Sequence, residues 1–269
     1  MTRANKIVGV CLIRNEDRFL ETVLRNVLEF CDEILVADHG STDGSHEIVA
    51  QLAAQSGKVK YRRIEEPGQS HEWIACLAGT PTWIFGVDGD EIYDPVRLRD
   101  FRKRLLSEEF EKVWQVLGNV LHCTKLEAET ATGYLARPSR SMTKLYNFSL
   151  IESWNGPCSE RLHGGTIKMR QGSSLEDRCR LDDTESFESS PFRCLHTVFL
   201  PRSSLDRKDA RMRLNIADWL ALSWPMRVFA GLRGRLGFPV QSRTKREYYR
   251  RGKLVTYPTK PFFESPDAT

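Results

Sequence analysis

The chain has no Cys-x-x-Cys pair, although seven cysteines (Cys11, Cys31, Cys76, Cys123, Cys158, Cys179 and Cys194) are spread over its 269 residues. An odd, scattered set gives neither a disulfide framework nor zinc-ligand spacing. Cysteines within apolar runs pack as small hydrophobes, which suits a reducing cytoplasm. Both familiar phosphate loops are also missing, G-x-G-x-x-G after the first strand and G-x-x-x-x-G-K-[ST] anywhere. Any nucleotide phosphates must therefore be held by something other than such a loop. No apolar run has the length needed to span a bilayer. The short run after Arg3 and Lys6 leads straight into Arg14-Asn15-Glu16-Asp17 and reads as a strand, not a signal peptide. Internal repeats and low-complexity segments are absent too.

What is present is an ordinary globular composition, 40% hydrophobic, enough for one large domain or two small ones. The net charge of +4 is unevenly spread: fifteen Lys and Arg stand against six Asp and Glu from residue 200 onward, so the preceding part is acidic overall. The basic end is either a solvated face or a surface for an acidic partner, phosphate or anionic lipid. Aromatics among its basic residues (Tyr248, Tyr249) come without a nucleic-acid recognition motif, so no nucleic-acid partner is expected.

Strand and helix patterns alternate over the first ninety or so residues. Ile7 to Ile13, Glu33 to Asp38, Val59 to Ile64 and Thr82 to Val87 read as strands. Between them, helical spacing links Phe19 to Cys31, Ile48 to Ala53 and residues 69–78. This order predicts an α/β fold, a mostly parallel sheet flanked by helices. After Pro95 a helix (96–108) precedes one longer strand-like run, Lys112 to Cys123. Residues 143–200 mix short strands with loops, and from Ser203 the chain reads as helical and basic.

The fourth strand ends in Asp88-Gly89-Asp90-Glu91, three carboxylates within four residues. Asp and Gly dominate turns for conformational reasons, so an acidic turn is one reading. A divalent-metal site is the other, because ligands gather outside the carboxyl ends of strands in open α/β sheets. Asp38 ends the second strand, and Arg14, Asn15 and Glu16 follow the first. One sheet would bring all of them to one rim.

Three stretches together, Val10 to Glu16 (VCLIRNE), Asp32 to Gly44 (DEILVADHGSTDG) and the strand ending in DGDE, resemble the family 2 glycosyltransferases of the GT-A (Rossmann-like) fold. The resemblance implies a mixed sheet with a nucleotide-sugar-binding half (residues 1–95), an acceptor-binding half (96–200) and a basic, largely helical extension (201–269). It implies Mn²⁺ or Mg²⁺ bound by Asp90, with Asp88 shared between ion and nucleotide. Asp38 would then contact the donor base, and Arg14, Asn15 and Glu16 would complete the nucleotide site. A metal bridging the diphosphate neutralises charge as the nucleoside diphosphate, expected to be UDP, departs.

In related enzymes a His-Glu pair lies near the position of Ser159-Glu160, where the Glu is the base of an inverting transfer. Glu160 is the candidate base here, set against a plain surface ion pair. His196, in an apolar strand-like context, is either a third metal ligand or a core histidine. The helix before the fourth strand departs from the family pattern, carrying His71-Glu72-Trp73 where a basic residue and an Asn are usual. Asp43 is read as a helix-capping residue and kept out of the site. The expected partners are a nucleotide-sugar donor, a glycan, lipid-linked or other hydroxyl acceptor, and anionic lipid at the inner face of the membrane. A nucleotidyltransferase and a non-catalytic sugar-nucleotide or glycan-binding protein are the alternatives.

Overall fold

The β-branched run near the start forms β1 (Lys6–Ile13), and strands and helices then alternate as α1 (Leu20–Val27), β2 (Glu33–Asp38), α2 (Ser45–Gln55), β3 (Val59–Arg63), α3 (Gln69–Ala75) and β4 (Thr82–Asp88). β1 lies between β2 and β4 and parallel to both, in a register that sets Ile13 beside Asp38 and Leu12 beside Asp88. The three strands therefore end together, and their terminal acids share one rim. α1 shows why its segment is helical: Leu20, Val23, Leu24 and Val27 recur at helical spacing and are all buried. In this computed structural model the described residues are 4–135, 144–160, 163–206, Pro225 and 254–263, with only the backbone described for Lys144, 156–160 and His163.

The remaining elements are β5 (Glu91–Tyr93), α4 (Pro95–Leu105), β6 (Gln115–Leu117), β7 (Asn119–Leu126), β8 (Thr130–Tyr134), β9 (Lys144–Asn147), β10 (Ile151–Glu160), β11 (His163–Met169), β12 (Arg178–Arg180), α5 (Leu181–Thr184), β13 (Arg193–His196), β14 (Leu254–Pro258) and α6 (Lys260–Phe263). The main sheet has the order β12-β6-β9-β4-β1-β2-β3, antiparallel only at β9. A second sheet has the order β14-β8-β7-β13-β5, and β10 and β11 form an antiparallel pair. The expected α/β class with a mostly parallel mixed sheet is thus observed.

Two features differ from the sequence reading. The single strand expected over Lys112 to Cys123 is two strands in different sheets, β6 and β7, divided at Gly118. A Cβ at Gly118 would collide with the Phe192 carbonyl oxygen and ring, so glycine is what allows the chain to cross against Phe192. The extension from residue 201, expected to be largely helical, also contributes a strand. Leu254–Pro258 pairs with β8, and the buried Phe262 carbonyl accepts from Asn26. Residues 207–224 and 226–253 lie outside the described residues, so the helix expected there is not among the elements described.

The sheets meet around an aromatic cluster. Phe85 of β4 packs on Tyr93 of β5 (ring centroids 5.0 Å apart), on Phe30 (5.3 Å) and on Phe192 (5.6 Å), with Phe101 of α4 against Phe192 (5.7 Å). Each such pair adds about 0.5–1.5 kcal/mol beyond the burial of its area. Beside it, Asp94 caps α4 by accepting from the Arg97 amide (3.0 Å), and its other oxygen accepts from Arg193 Nη2 (2.7 Å) and Nε (3.1 Å). Both partners are buried. Asp94→Ala removes the cap and leaves a guanidinium buried without its carboxylate, so a loss of about 3–5 kcal/mol is expected. Denaturant unfolding measures it; a loss below about 1 kcal/mol, the scale of an exposed pair, would refute this account. Among the described residues no helix is long and apolar enough to cross a membrane.

Candidate active site

The run Asp88-Gly89-Asp90-Glu91 does not hang from one strand; it joins two. Asp88 ends β4 in the main sheet, and Glu91 begins β5 in the second, paired opposite His196 of β13. The Asp90 carbonyl accepts from Thr197, at its backbone N (2.9 Å) and its hydroxyl (3.2 Å), which fixes the turn to the end of β13. Gly89 is small for a reason: a Cβ there would collide with Glu16 Oε2. Glycine between the two aspartates thus leaves room for the Glu16 side chain, arriving from the end of β1.

Asp90 is buried (2% exposed) at the centre of a charged cluster. Its Oδ2 accepts from Arg202 Nη1 at 2.5 Å and lies 3.4 Å from His196 Nε2. The same Arg202 Nη1 is 3.1 Å from Glu16 Oε1. Burial by itself would raise the Asp90 pKa, but the charges of Arg202 and His196 and their hydrogen bonds outweigh it and hold the carboxyl below the ordinary carboxylate range. His196 Nδ1 is 2.9 Å from His122 Nδ1, so one imidazole donates and the other accepts. Burial, then the neighbouring His196, keeps His122 well below its usual pKa and hence neutral.

Arg202 arrives on a segment tied to the rim at many points. Its carbonyl accepts from the Arg18 amide (3.1 Å), and the Ser203 carbonyl accepts from Arg18 Nε (2.9 Å). Ser203 Oγ donates to Asp43 (2.5 Å), and the Ser204 amide (2.6 Å) and hydroxyl (2.5 Å) donate to Asp17. Asp206 accepts from the amides of Arg202 and Ser203. Asp43 also accepts from the Ser45 amide at the start of α2, from the position before the N-cap residue, Gly44.

The structure thus brings Glu16 and Asp90 together on Arg202, with His196 against Asp90. Asp88 is half-buried at the end of β4, and Arg14 is exposed after β1. Asn15 adopts a positive φ (54°) and its Oδ1 accepts from the Thr42 amide, so its side chain holds the β2–α2 loop. Asp38 is fully buried, its oxygens accepting from the Ser41 amide (2.7 Å) and the Tyr61 hydroxyl (2.8 Å), with Arg63 Nε 3.9 Å away. Glu160 closes β10 opposite His163 in register; only its backbone is described. On α3, His71 is buried against Trp154 (6.0 Å) and Arg62 stacks over Trp73 (5.1 Å).

Sequence reasoning missed Arg202 and His122. Arg202 carried one signal: it is the first basic residue after His196 and opens the basic end of the chain. Among the described residues, no three His, Cys, Asp or Glu side chains are arranged as they stand to hold a metal ion. The two carboxylates do converge on one point, but the nitrogen of Arg202 sits there as a stand-in cation. Two carboxylates beside an imidazole make a donor set that suits Mg²⁺ or Mn²⁺ chemically.

Residues 10–157 match the model of Glycosyl transferase family 2. A curated relative, the lipopolysaccharide core biosynthesis glycosyltransferase LpsC of Rhizobium meliloti (strain 1021), is 26% identical over 198 residues, 69% of this chain and 67% of LpsC. Among solved structures, the mannosyltransferase PcManGT from Pyrobaculum calidifontis in complex with GDP-Man and Mn²⁺ shares 14% identity at a TM-score of 0.39, over 66% of this chain and 57% of that one. Glucosyl-3-phosphoglycerate synthase from Mycobacterium tuberculosis, with Mn²⁺, UDP and glucosyl-3-phosphoglycerate, shares 18% at 0.36, over 54% of this chain. This chain spans 57% of the length of each of the two solved structures.

Proposed function

The chain belongs to glycosyl transferase family 2, and on that premise we propose that it is a metal-dependent, inverting enzyme moving a sugar from UDP to a hydroxyl acceptor. The observation that carries the reading is the convergence of Glu16 and Asp90 on one cationic point at the rim where β1 and β4 end, with His196 against Asp90. In this reading Asp90 and His196 hold Mn²⁺ or Mg²⁺, Glu16 faces the same point, and Asp88 is shared with the nucleotide. When bound, the ion stabilises the charge that develops on the departing diphosphate.

The protein's own groups do the rest. Asp38 and Asn15 brace the loop after β2 through Ser41 and Thr42, shaping the edge where the base would lie. Arg14, exposed at the same edge, is positioned to meet a phosphate. Glu160 takes the acceptor hydroxyl proton as the oxygen attacks the anomeric carbon, which inverts its configuration. A glycan on a lipid is the favoured acceptor, by similarity to a relative named for lipopolysaccharide core biosynthesis. That acceptor suits action at the inner face of the membrane, with the basic residues beyond 206 toward anionic lipid.

Incubation with a panel of nucleotide sugars and Mn²⁺ tests the reading. Release of a nucleoside diphosphate with glycosylated product is expected, along with a rise in melting temperature for the true donor because it binds the native state. Release of pyrophosphate would identify a nucleotidyltransferase instead. Donor binding without turnover on any glycan or lipid-linked acceptor would leave a sugar-nucleotide-binding protein.

A further inference from the structure

The Arg202 guanidinium sits where the proposed ion would act, and its placement is not loose. Nη1 lies within hydrogen-bond distance of both Glu16 Oε1 and Asp90 Oδ2, and the side chain is mostly buried, 16% exposed. The segment that delivers it, residues 201–206, is fastened to Asp17, Arg18 and Asp43 by the bonds described above. A divalent ion cannot share this point with a guanidinium, because its ligand distances of about 2.0–2.2 Å leave no room for a nitrogen and like charges repel.

We propose that Glu16 and Asp90 form a cation-exchange site, in which Arg202 is the resident cation and a divalent ion must displace it to bind. This rests on the metal-dependent reading above. The guanidinium keeps the two buried carboxylates compensated while no ion is present, which an empty acidic pocket could not do without cost. Loading the ion breaks the Arg202 contacts to Glu16 and Asp90 and loosens the segment behind it. Glu16 becomes a ligand of the ion, a role beyond the nucleotide contact expected from its position after β1. A freed Arg202, still tethered at the rim, is then available to a diphosphate oxygen, for which its planar fork is suited.

The test is Mn²⁺ binding to the full chain without nucleotide, followed by electron paramagnetic resonance of the free ion. Arg202→Ala and Arg202→Gln are expected to bind Mn²⁺ about tenfold or more tightly than the unmodified protein. Glu16→Gln should weaken binding in both backgrounds. Equal or weaker Mn²⁺ affinity in both Arg202 variants overturns the proposal, as does binding too weak to detect in all proteins. Should the variants fold poorly, hydrogen exchange on the unmodified protein decides the matter. Saturating Mn²⁺ should speed exchange of the Arg18, Ser203 and Ser204 amides, which bond to or within this segment; unchanged or slower exchange overturns the exchange mechanism. The glycosyltransferase reading stands or falls separately, on nucleoside diphosphate release by the unmodified enzyme.

Discussion

Asp90→Ala is expected to lower sugar transfer by about a hundredfold or more, the scale on which removal of one group stabilising transition-state charge is felt. It should also destabilise the fold. With Asp90 gone, Arg202 keeps Glu16 but loses its shortest partner in a buried setting, a change that costs about 3–5 kcal/mol when a charge is left uncompensated. Asp90→Asn, which preserves shape and one acceptor, should recover part of the stability and none of the activity. Unfolding in metal-free buffer separates the two effects. A variant with intact transfer would remove Asp90 from the reaction.

The pH dependence of that stability gap has a definite sign. The Asp90 carboxyl is held below the ordinary range in the folded state, because Arg202 and His196 outweigh its burial. A carboxyl with a depressed folded pKa stabilises the protein fully above its unfolded pKa, about 3.9 for Asp, and progressively less as pH falls toward the folded value. The difference between unmodified protein and Asp90→Ala should thus be constant above about pH 5 and narrow on going to about pH 3. A gap that widened in acid would contradict the charge arrangement around Arg202.

Glu160→Gln is the second large effect. The amide cannot accept a proton, so transfer should fall by about 10²–10⁴-fold while nucleotide affinity stays within twofold or so. Steady-state transfer measured beside nucleotide binding by calorimetry gives both quantities. If transfer survives, the base lies elsewhere. If nucleotide affinity falls as far as transfer, Glu160 belongs to the donor pocket instead.

Much of the first ninety residues could be read from local pattern. β1 to β4 and the helices between them follow from apolar periodicity, and a parallel register then brings the ends of β1, β2 and β4 to one rim. Asp38, Asp90 and Glu16 were placed at that rim by the same route. The Lys112 to Cys123 run was not read correctly, because its division depends on Phe192, a residue more than seventy positions later that only Gly118 can pass. Arg202 escaped for a similar reason: its meaning comes from carboxylates 112 and 186 residues away. Its one local signal, being the first basic residue after His196, fits a solvated face equally well. His122 looked like one more residue of a strand, and only the pairing of β7 with β13 sets it beside His196. Local chemistry announces itself in a sequence; a partnership across sheets does not.

The join between β4 and β5 has a mechanical consequence. Asp88 is held in register with Leu12 of the main sheet, whereas Asp90 is held through its carbonyl by Thr197 at the end of β13 in the second sheet. Two carboxylates only two residues apart are thus anchored to different sheets, and their separation is set by how those sheets pack on the core they share. The aromatic packing of Phe85, Tyr93 and Phe192 joins the two sheets beside this pair.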